Sequence, residues 1–564
     1  MSAREWAWAR PGVSAGTRVE GSSARASARA GSRTGSVRAL RPRQAFGLAY
    51  IAWGPQSAAK QQAAGMLSSA NDLEDGARVV ADVCIVGAGA AGITLALELI
   101  DSGLRVCVLA GGGLELGREE QKLYQGTMSG LDGFMLDARR VRAFGGTTHW
   151  WSGWCRPLAV EDFEARDYIP HSGWPIDFEQ LEPFYERAHR TLELGAFHYD
   201  LELILTRADR SWLKLEGGAV RSELFQFSPP TRMGSAYQSR IEEAGNLQAL
   251  ADGHMLDIET DGRRVVRLAC GTLTGKRFTV EAGRFVLALG ALENSRMLLA
   301  ADGGRGIANG SDAVGRYFME HPHYRSAVKV VSPQGVDTTA YARFEADTRV
   351  LDDDPEAPND VVAVLGLSAA AREREGLPTW NATLVDTEDD LREAEAQHEG
   401  AIGPLGVAEL LRPHESAKQW TLTCRVEQTP DPDSRVTLID ERDAFGIPRI
   451  DLHWKIRERD NEALVRSLEL LGADLARSGM GRMYVPTNAG RFDFPRGSGC
   501  HHMGTTRMAS DAEHGVVDAD CLCFDLDNLY LAGSSVFSTS GASNPTLTIV
   551  ALAHRLADHL KGSA

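Results

Sequence analysis

Apolar positions along this chain fall into short blocks whose period changes from strand-like to helix-like and back. Val83–Val86 is an unbroken apolar run of the length of a buried strand. A helical stretch follows through Ile100, Asp101-Ser102-Gly103 ends it, and Val106–Leu109 reads as a second strand parallel to the first. That is one βαβ unit. Arg284–Leu289 is a further apolar strand, running into Gly290 and a helix over Leu292–Ala300. Near the end of the chain, the strand Leu529–Ala532 precedes a helix over Thr546–Leu560. The stretch between, roughly 320–480, is rich in acids and loop-formers. Residues 1–65 carry no sustained period of either kind. A segment so rich in Ser, Ala, Gly and Arg cannot bury enough apolar surface to offset its chain entropy, and it is expected to be disordered.

Length and charge refine this picture. A chain of 564 residues is too long for one ordinary domain, so two intertwined domains are expected. With 43% apolar and 24% charged residues it has the composition of a globular protein with a substantial core. No run of 18 or more apolar residues occurs, so no membrane span is expected. The formal net charge is −17, yet residues 1–65 hold nine Arg and one Lys against only Glu5 and Glu20, which leaves about −25 on the remainder. Such a surface argues against nucleic acid as a partner. The basic segment reads as residues ahead of a true start at Met66, with a transit peptide or an ordinary disordered tail as alternatives. The eight cysteines are scattered, with no CxxC pair. That pattern fits a reducing compartment, and a cytoplasmic location is expected.

The chemistry begins at Gly87-Ala88-Gly89-Ala90-Ala91-Gly92. A GxGxxG alone is weak, but here a strand precedes it, a helix follows, and a second strand comes about twenty residues on. Gly87 permits the tight turn, Gly89 lets the backbone approach a pyrophosphate, and Gly92 lets helix and strand pack closely. The anion then sits at a helix N-terminus. One part is missing: where an Asp or Glu usually holds the ribose, this chain has Ala110, followed by three glycines.

Cofactor-like segments recur at the other end: Gly499-Cys500-His501-His502-Met503-Gly504-Thr505, Asn528–Ser535 and Asn544-Pro545-Thr546-Leu547-Thr548. With Arg142–Thr148, Gly173-Trp174-Pro175-Ile176, Phe285–Arg296, Val314–His323 and Gln428–Val436, these segments resemble the glucose–methanol–choline (GMC) oxidoreductases. The likeness is strongest to the bacterial sugar-dehydrogenase and pyranose-oxidase branch, and it spans about residues 80–560.

The resemblance implies an α/β, Rossmann-like FAD-binding domain assembled from 80–150, 240–320 and 490–560. It also implies an α+β substrate domain with an antiparallel sheet, from 151–239 and 321–489. The implied reaction is oxidation of a CH–OH group of a sugar or other alcohol, with hydride passing to flavin N5. His501 would be the base and Asn544 would orient the hydroxyl. A positioned base is needed because hydride leaves carbon only as alkoxide character grows on its oxygen. Gly145, Gly146, Thr147 and His149 would wrap the flavin, and Gly290, Gly533, Ser534, Pro545 and Thr546 would border it. Some relatives bind FAD covalently through a histidine one place later, where this chain has Trp150, so His149 is a candidate anchor displaced by one residue. The His501–His502 pair lacks further ligands at metal-binding spacing, and no metal is expected. His321, His323 and His453 read as structural or surface side chains. An electron-acceptor protein or a small subunit is an implied partner. The alternatives are a lyase-like, non-redox flavoprotein and an FAD-binding pseudoenzyme.

Overall fold

In a computed structural model, residues 67–131, 135–333, 335–349, 359–386, 417–485 and 496–562 are described. Residues 1–65 and the proposed start at Met66 lie outside them. The strands, in chain order, are β1 (Leu67–Ser69), β2 (Ala77–Val86), β3 (Val106–Leu109), β4 (Thr127–Gly130), β5 (Trp154–Cys155), β6 (Val220–Phe227), β7 (Leu247–Ala251), β8 (His254–Asp261), β9 (Arg264–Gly271), β10 (Arg277–Leu287), β11 (Pro322–Pro333), β12 (Phe344–Ala346), β13 (Asn359–Leu367), β14 (Trp380–Asp386), β15 (Ala417–Val426), β16 (Arg435–Arg442), β17 (Pro448–Trp454), β18 (Arg482–Tyr484), β19 (Arg496–Ser498) and β20 (Leu529–Leu531).

The first sheet runs β1-β7-β3-β2-β10-β9-β8, with β20 also on β10. Its centre is parallel, and all four residues of β3 are buried, as expected for a strand covered on both faces. β2 and β10 are longer than their apolar runs suggest. In their first halves buried Val79, Ala81, Phe278 and Val280 alternate with more exposed neighbours, a half-buried period of two that a search for continuous apolar runs passes over. β10 also joins the two ends of the chain. Phe285, Val286 and Leu287 pair on one side with Cys84, Ile85 and Val86, and on the other with Leu529, Tyr530 and Leu531. The helix Thr546–Gly562 packs on the helices Ala90–Glu98 and Phe178–Thr191, with His554 Nδ1 3.1 Å from the Glu98 carboxylate.

The second sheet is antiparallel throughout, in the order β18-β11-β15-β14-β13-β6-β5, with β12 on β13 and β19 on β11. One of its faces is apolar (Tyr324, Val328, Ala382, Leu422, Cys424, Val426) and packs with the helix Glu458–Arg477. That helix presents Leu464, Leu468, Leu471 and Leu475, spaced as one buried stripe. A third, small sheet pairs β4 in parallel with β17, which pairs antiparallel with β16. The protein is thus a mixed α/β fold in which a mostly parallel sheet stands beside a separate antiparallel one.

Candidate active site

The turn after β2 is held by close backbone contact. Gly87 has φ +110°, and a Cβ there would stand 2.5 Å from the Ala288 carbonyl oxygen. A Cβ on Gly92 would stand 1.8 Å from the Gly87 oxygen, so helix and strand meet only because both residues are glycine. The loop Gly145–Thr147 closes on this turn: Gly145 N–H donates to Ala88 O at 2.7 Å, and a Cβ on Gly146 would meet Gly89 Cα at 2.8 Å. Thr147 Oγ1 accepts from Val141 N–H, and Thr148 Oγ1 donates to Gly145 O at 2.6 Å. Gly290 heads the helix Ala291–Gly304 and Gly533 follows β20; the Cβ positions of both face open space. Asn294 ties them, accepting from Leu289 N–H and donating to Ala532 O and Ser535 Oγ. Ser534 Oγ donates to His502 O at 2.6 Å. Glycines facing open space around the uncapped N-terminus at Gly89 form a cradle of the kind that FAD requires, and the residues present fit it.

Behind this loop lies a buried charge cluster. Arg140 and Arg296 each approach Glu293 at 3.1 Å, Arg142 stands 3.5 Å from it, and Arg296 also binds Asp443 at 2.6 Å. Burial alone would raise the Glu293 pKa, but Arg296, Arg140 and Arg142 outweigh it and pull it down to about 2. Arg142 also donates to Gly111 O, beside Ala110. At the turn after β7, Asp252 brings a carboxylate to this strand end, with Oδ1 3.1 Å from the Cβ position of Gly113 and Oδ2 accepting from Ser69 Oγ at 2.6 Å.

His149 turns back on its own loop, its Nε2 2.8 Å from Phe144 O, while Trp150 is 53% exposed. A carbonyl oxygen only accepts, so His149 Nε2 carries the proton of that bond, and Nδ1 is not engaged by it.

The second half of the site gathers around His501. Cys500, just before it, has φ +60°, a strained conformation for a residue with a side chain. Flanking backbone bonds hold it: Met503 and Met319 exchange both N–H···O bonds at 3.0 Å, and Gly504 N–H donates to Ser534 O. Thr505 Oγ1 donates to Ala291 O at 2.6 Å. Asn544, just ahead of the helix at Thr546, lies with Nδ2 3.2 Å from His501 Nε2, and its Oδ1 is buried with no hydrogen-bond partner among the described residues. A buried acceptor of that kind suits a ligand's donor. On the other side, His321 Nδ1 is 2.9 Å from His501 Nδ1, and the His323 ring lies 6.0 Å away. Burial, then the neighbouring His321 and His323 rings and Arg425, hold the His501 pKa well below the usual imidazole value. His501 is therefore neutral near pH 7, the state a base requires. His502, pushed down to about 3 by burial and by Arg140 and Arg139, lies 3.6 Å from Glu320.

His321 and His323, read from the sequence as structural or surface side chains, lie in the interior beside His501. The pairing brings together positions 180 apart. The segment Val314–His323 carried the signal, as one of the blocks matching the family resemblance, but nothing local says which ring a histidine will meet.

The polar face of the antiparallel sheet completes the corner. His323 on β11 pairs with Arg425 on β15, which pairs with Asn381 on β14, so the three side chains form a row on the face opposite the apolar one. Arg425 donates to Asn381 Oδ1 at 3.1 Å, and Asn381 donates to Ala542 O at 2.6 Å, two residues before Asn544. The Arg425 guanidinium lies 4.5 Å over the Trp154 ring, which packs edge-on against Phe225 and Phe227.

Residues 430–553 match the family model described as GMC oxidoreductase, and residues 82–336 match that of FAD dependent oxidoreductase. This chain belongs to the GMC oxidoreductases. It is an FAD-dependent oxidoreductase acting on CH–OH groups, and the matches support that activity rather than the lyase-like or pseudoenzyme alternatives. This GMC oxidoreductase is 24% identical to the fructose dehydrogenase large subunit of Gluconobacter japonicus, over 85% of this chain and 97% of that one. It is 29% identical to a C-glycoside 3-oxidase of Microbacterium trichothecenolyticum over 53% and 51%. Among solved structures, pyridoxine 4-oxidase from Mesorbium loti has a TM-score of 0.53 at 17% identity, covering 85% of this chain and 98% of that one, and shares the fold.

Proposed function

We propose that this GMC oxidoreductase oxidises a secondary hydroxyl of a sugar or sugar-like alcohol, with His501 Nε2 taking the hydroxyl proton. The observation that carries this reading is the His501–Asn544 contact at 3.2 Å. The amide nitrogen has two hydrogens. In the free protein one points to the imidazole lone pair; a bound hydroxyl would donate to that lone pair in its place while its oxygen accepts from the amide, so base and hydroxyl are held in one place. When bound, FAD supplies the two-electron acceptor for the hydride. Gly87, Gly89, Gly92, Gly145, Gly146, Gly290, Gly533, Ser534, Pro545 and Thr546 would hold it, and Asp252 would take over the ribose contact that Ala110 cannot make. Burial keeps His501 neutral and ready to accept a proton.

The sugar class is supported by the polar row His323, Arg425 and Asn381 with Trp154 beside it, since donors next to an aromatic face suit a polyhydroxylated ring. The names of the relatives, fructose dehydrogenase and C-glycoside 3-oxidase, point the same way. One of those relatives is a large subunit by name, so a small subunit or electron-acceptor protein is proposed for this chain as well.

The test is His501→Ala in the FAD-loaded protein, mixed anaerobically with D-fructose and a panel of other sugars. Flavin content should be kept while flavin bleaching slows by at least ~10²-fold, the scale of a lost general base. A variant that bleaches at the wild-type rate removes His501 from the role.

A further inference from the structure

We infer that His321 is the positioning residue that sets the tautomer of His501, with the Ser540 carbonyl as the fixed end of the chain. The inference rests on the reading of His501 as the base. His321 is fully buried, and its ring stands at 81° to that of His501. Its Nε2 lies 3.1 Å from Ser540 O, and its Nδ1 lies 2.9 Å from His501 Nδ1. A carbonyl oxygen only accepts, so His321 Nε2 carries the hydrogen. A neutral imidazole has one N–H, which leaves His321 Nδ1 bare and accepting. His501 Nδ1 must then be the donor between the two rings, and His501 Nε2 carries the lone pair.

The other end of the chain agrees. The Asn544 amide nitrogen only donates, and it faces His501 Nε2. A terminal acceptor at Ser540 and a terminal donor at Asn544 thus impose the same direction on every bond between them. The reverse arrangement needs hydrogen on both nitrogens of His321, an imidazolium inside the core. Burial opposes that charge and holds the His321 pKa near 4, against the pull of the Ser540 and Gly541 carbonyls and Glu427, with Arg425 opposing it further. The Glu320 carboxylate beside it is engaged by the His321 and Gly499 backbone N–H groups.

This direction puts the lone pair where the reaction uses it. The alcohol O–H would replace the Asn544 N–H at His501 Nε2 and give up its proton there, while the C–H bond of the same carbon would break, leaving a carbonyl, with the hydride taken up by FAD when bound. The Nδ1 proton stays on His501, and its bond to His321 becomes charge-assisted as the imidazolium forms. Without His321 the imidazole can turn its N–H toward Nε2 and present the wrong nitrogen, as happens when the orienting partner is lost from other histidine bases.

The test uses full-length, FAD-loaded protein labelled with ring-¹⁵N histidine, and His501→Gln identifies the His501 signals. The wild type should show His501 protonated at Nδ1 and bare at Nε2, with no substrate needed. His321→Ala should shift that signal toward the Nε2–H form and slow flavin reduction by the best sugar of the panel by ~10- to 100-fold, with little change in its binding. His321→Asn, which returns an acceptor near the Nδ1 position, should keep the Nδ1–H form and recover most of the rate. A wild-type His501 protonated at Nε2 would overturn the inference, as would Asn and Ala variants that behave alike. Should His321→Ala fail to fold, the wild-type and Asn spectra decide. If His501→Ala left reduction untouched, the base reading would fall while the tautomer result would still stand.

Discussion

The turn at Gly87–Gly92 and the corner at His501 keep their shapes by different means. At the turn the working parts are absent side chains: Gly87 sits against Ala288, Gly92 against Gly87, and Gly146 against Gly89. At the corner they are side chains from distant segments. His321, His501 and Asn544 each supply one end of a hydrogen bond, and Ser540 supplies the anchor. The turn fails if an atom is added. The corner fails if a proton moves. Contact geometry therefore sets one half of the site and hydrogen-bond direction the other, and the two halves should break in different ways.

The largest effect is expected at the turn. In Gly92→Ala the new Cβ would lie 1.8 Å from the Gly87 carbonyl, a backbone atom that cannot swing aside. The helix Ala90–Glu98 must then separate from β2, and the anion-binding N-terminus goes with it. The expected outcome is protein that is insoluble or colourless after purification; a soluble variant with a full complement of flavin would show that the turn tolerates the added atom. His501→Ala, by contrast, should stay yellow.

Much of the turn was legible in the sequence because its constraints are local. Strand, glycine spacing and helix lie within about thirty residues, and each glycine has one steric reason to be there. The antiparallel sheet was expected only through the family resemblance. Its strands carry one apolar and one polar face, and the pairing of His323, Arg425 and Asn381 is fixed by register between segments about a hundred or fewer residues apart, which no local period records. His321 was visible as a residue and invisible as a partner, since its role depends on which ring faces it after folding.

An intermediate effect is expected from the buried cluster that backs the flavin loop. Glu293→Gln leaves the charges of Arg140, Arg142 and Arg296 without their shared carboxylate, and breaking such a cluster costs about 3–5 kcal/mol. The sign with pH follows from the lowered pKa. A carboxyl shifted from 4.5 to about 2 stabilises the fold above pH 4.5, and that contribution shrinks as pH falls toward 2. Chemical denaturation should show wild type ahead of the variant by about 3 kcal/mol at pH 7, with the gap closing between pH 4.5 and 2. A gap independent of pH would mean that packing, not charge, is what the glutamate supplies.

The smallest effect is expected at the adenosine end, where a side chain stands in for one that the strand end lacks. Ala110 offers nothing to a ribose, and Asp252 reaches the same strand end from the neighbouring strand, its carboxylate held by Ser69. If that carboxylate holds a ribose hydroxyl, Asp252→Asn removes one charge-assisted acceptor, worth about 1–2 kcal/mol. FAD affinity of the deflavinated protein should fall by about 5- to 30-fold, while flavin reduction at saturating FAD stays at the wild-type rate. Unchanged affinity would leave the cradle to backbone alone, making the contrast with the His501 corner sharper still. A loss of reduction rate together with affinity would mean that the two halves are coupled through β2 and β10, and that steric and protonic control are not separate in this site.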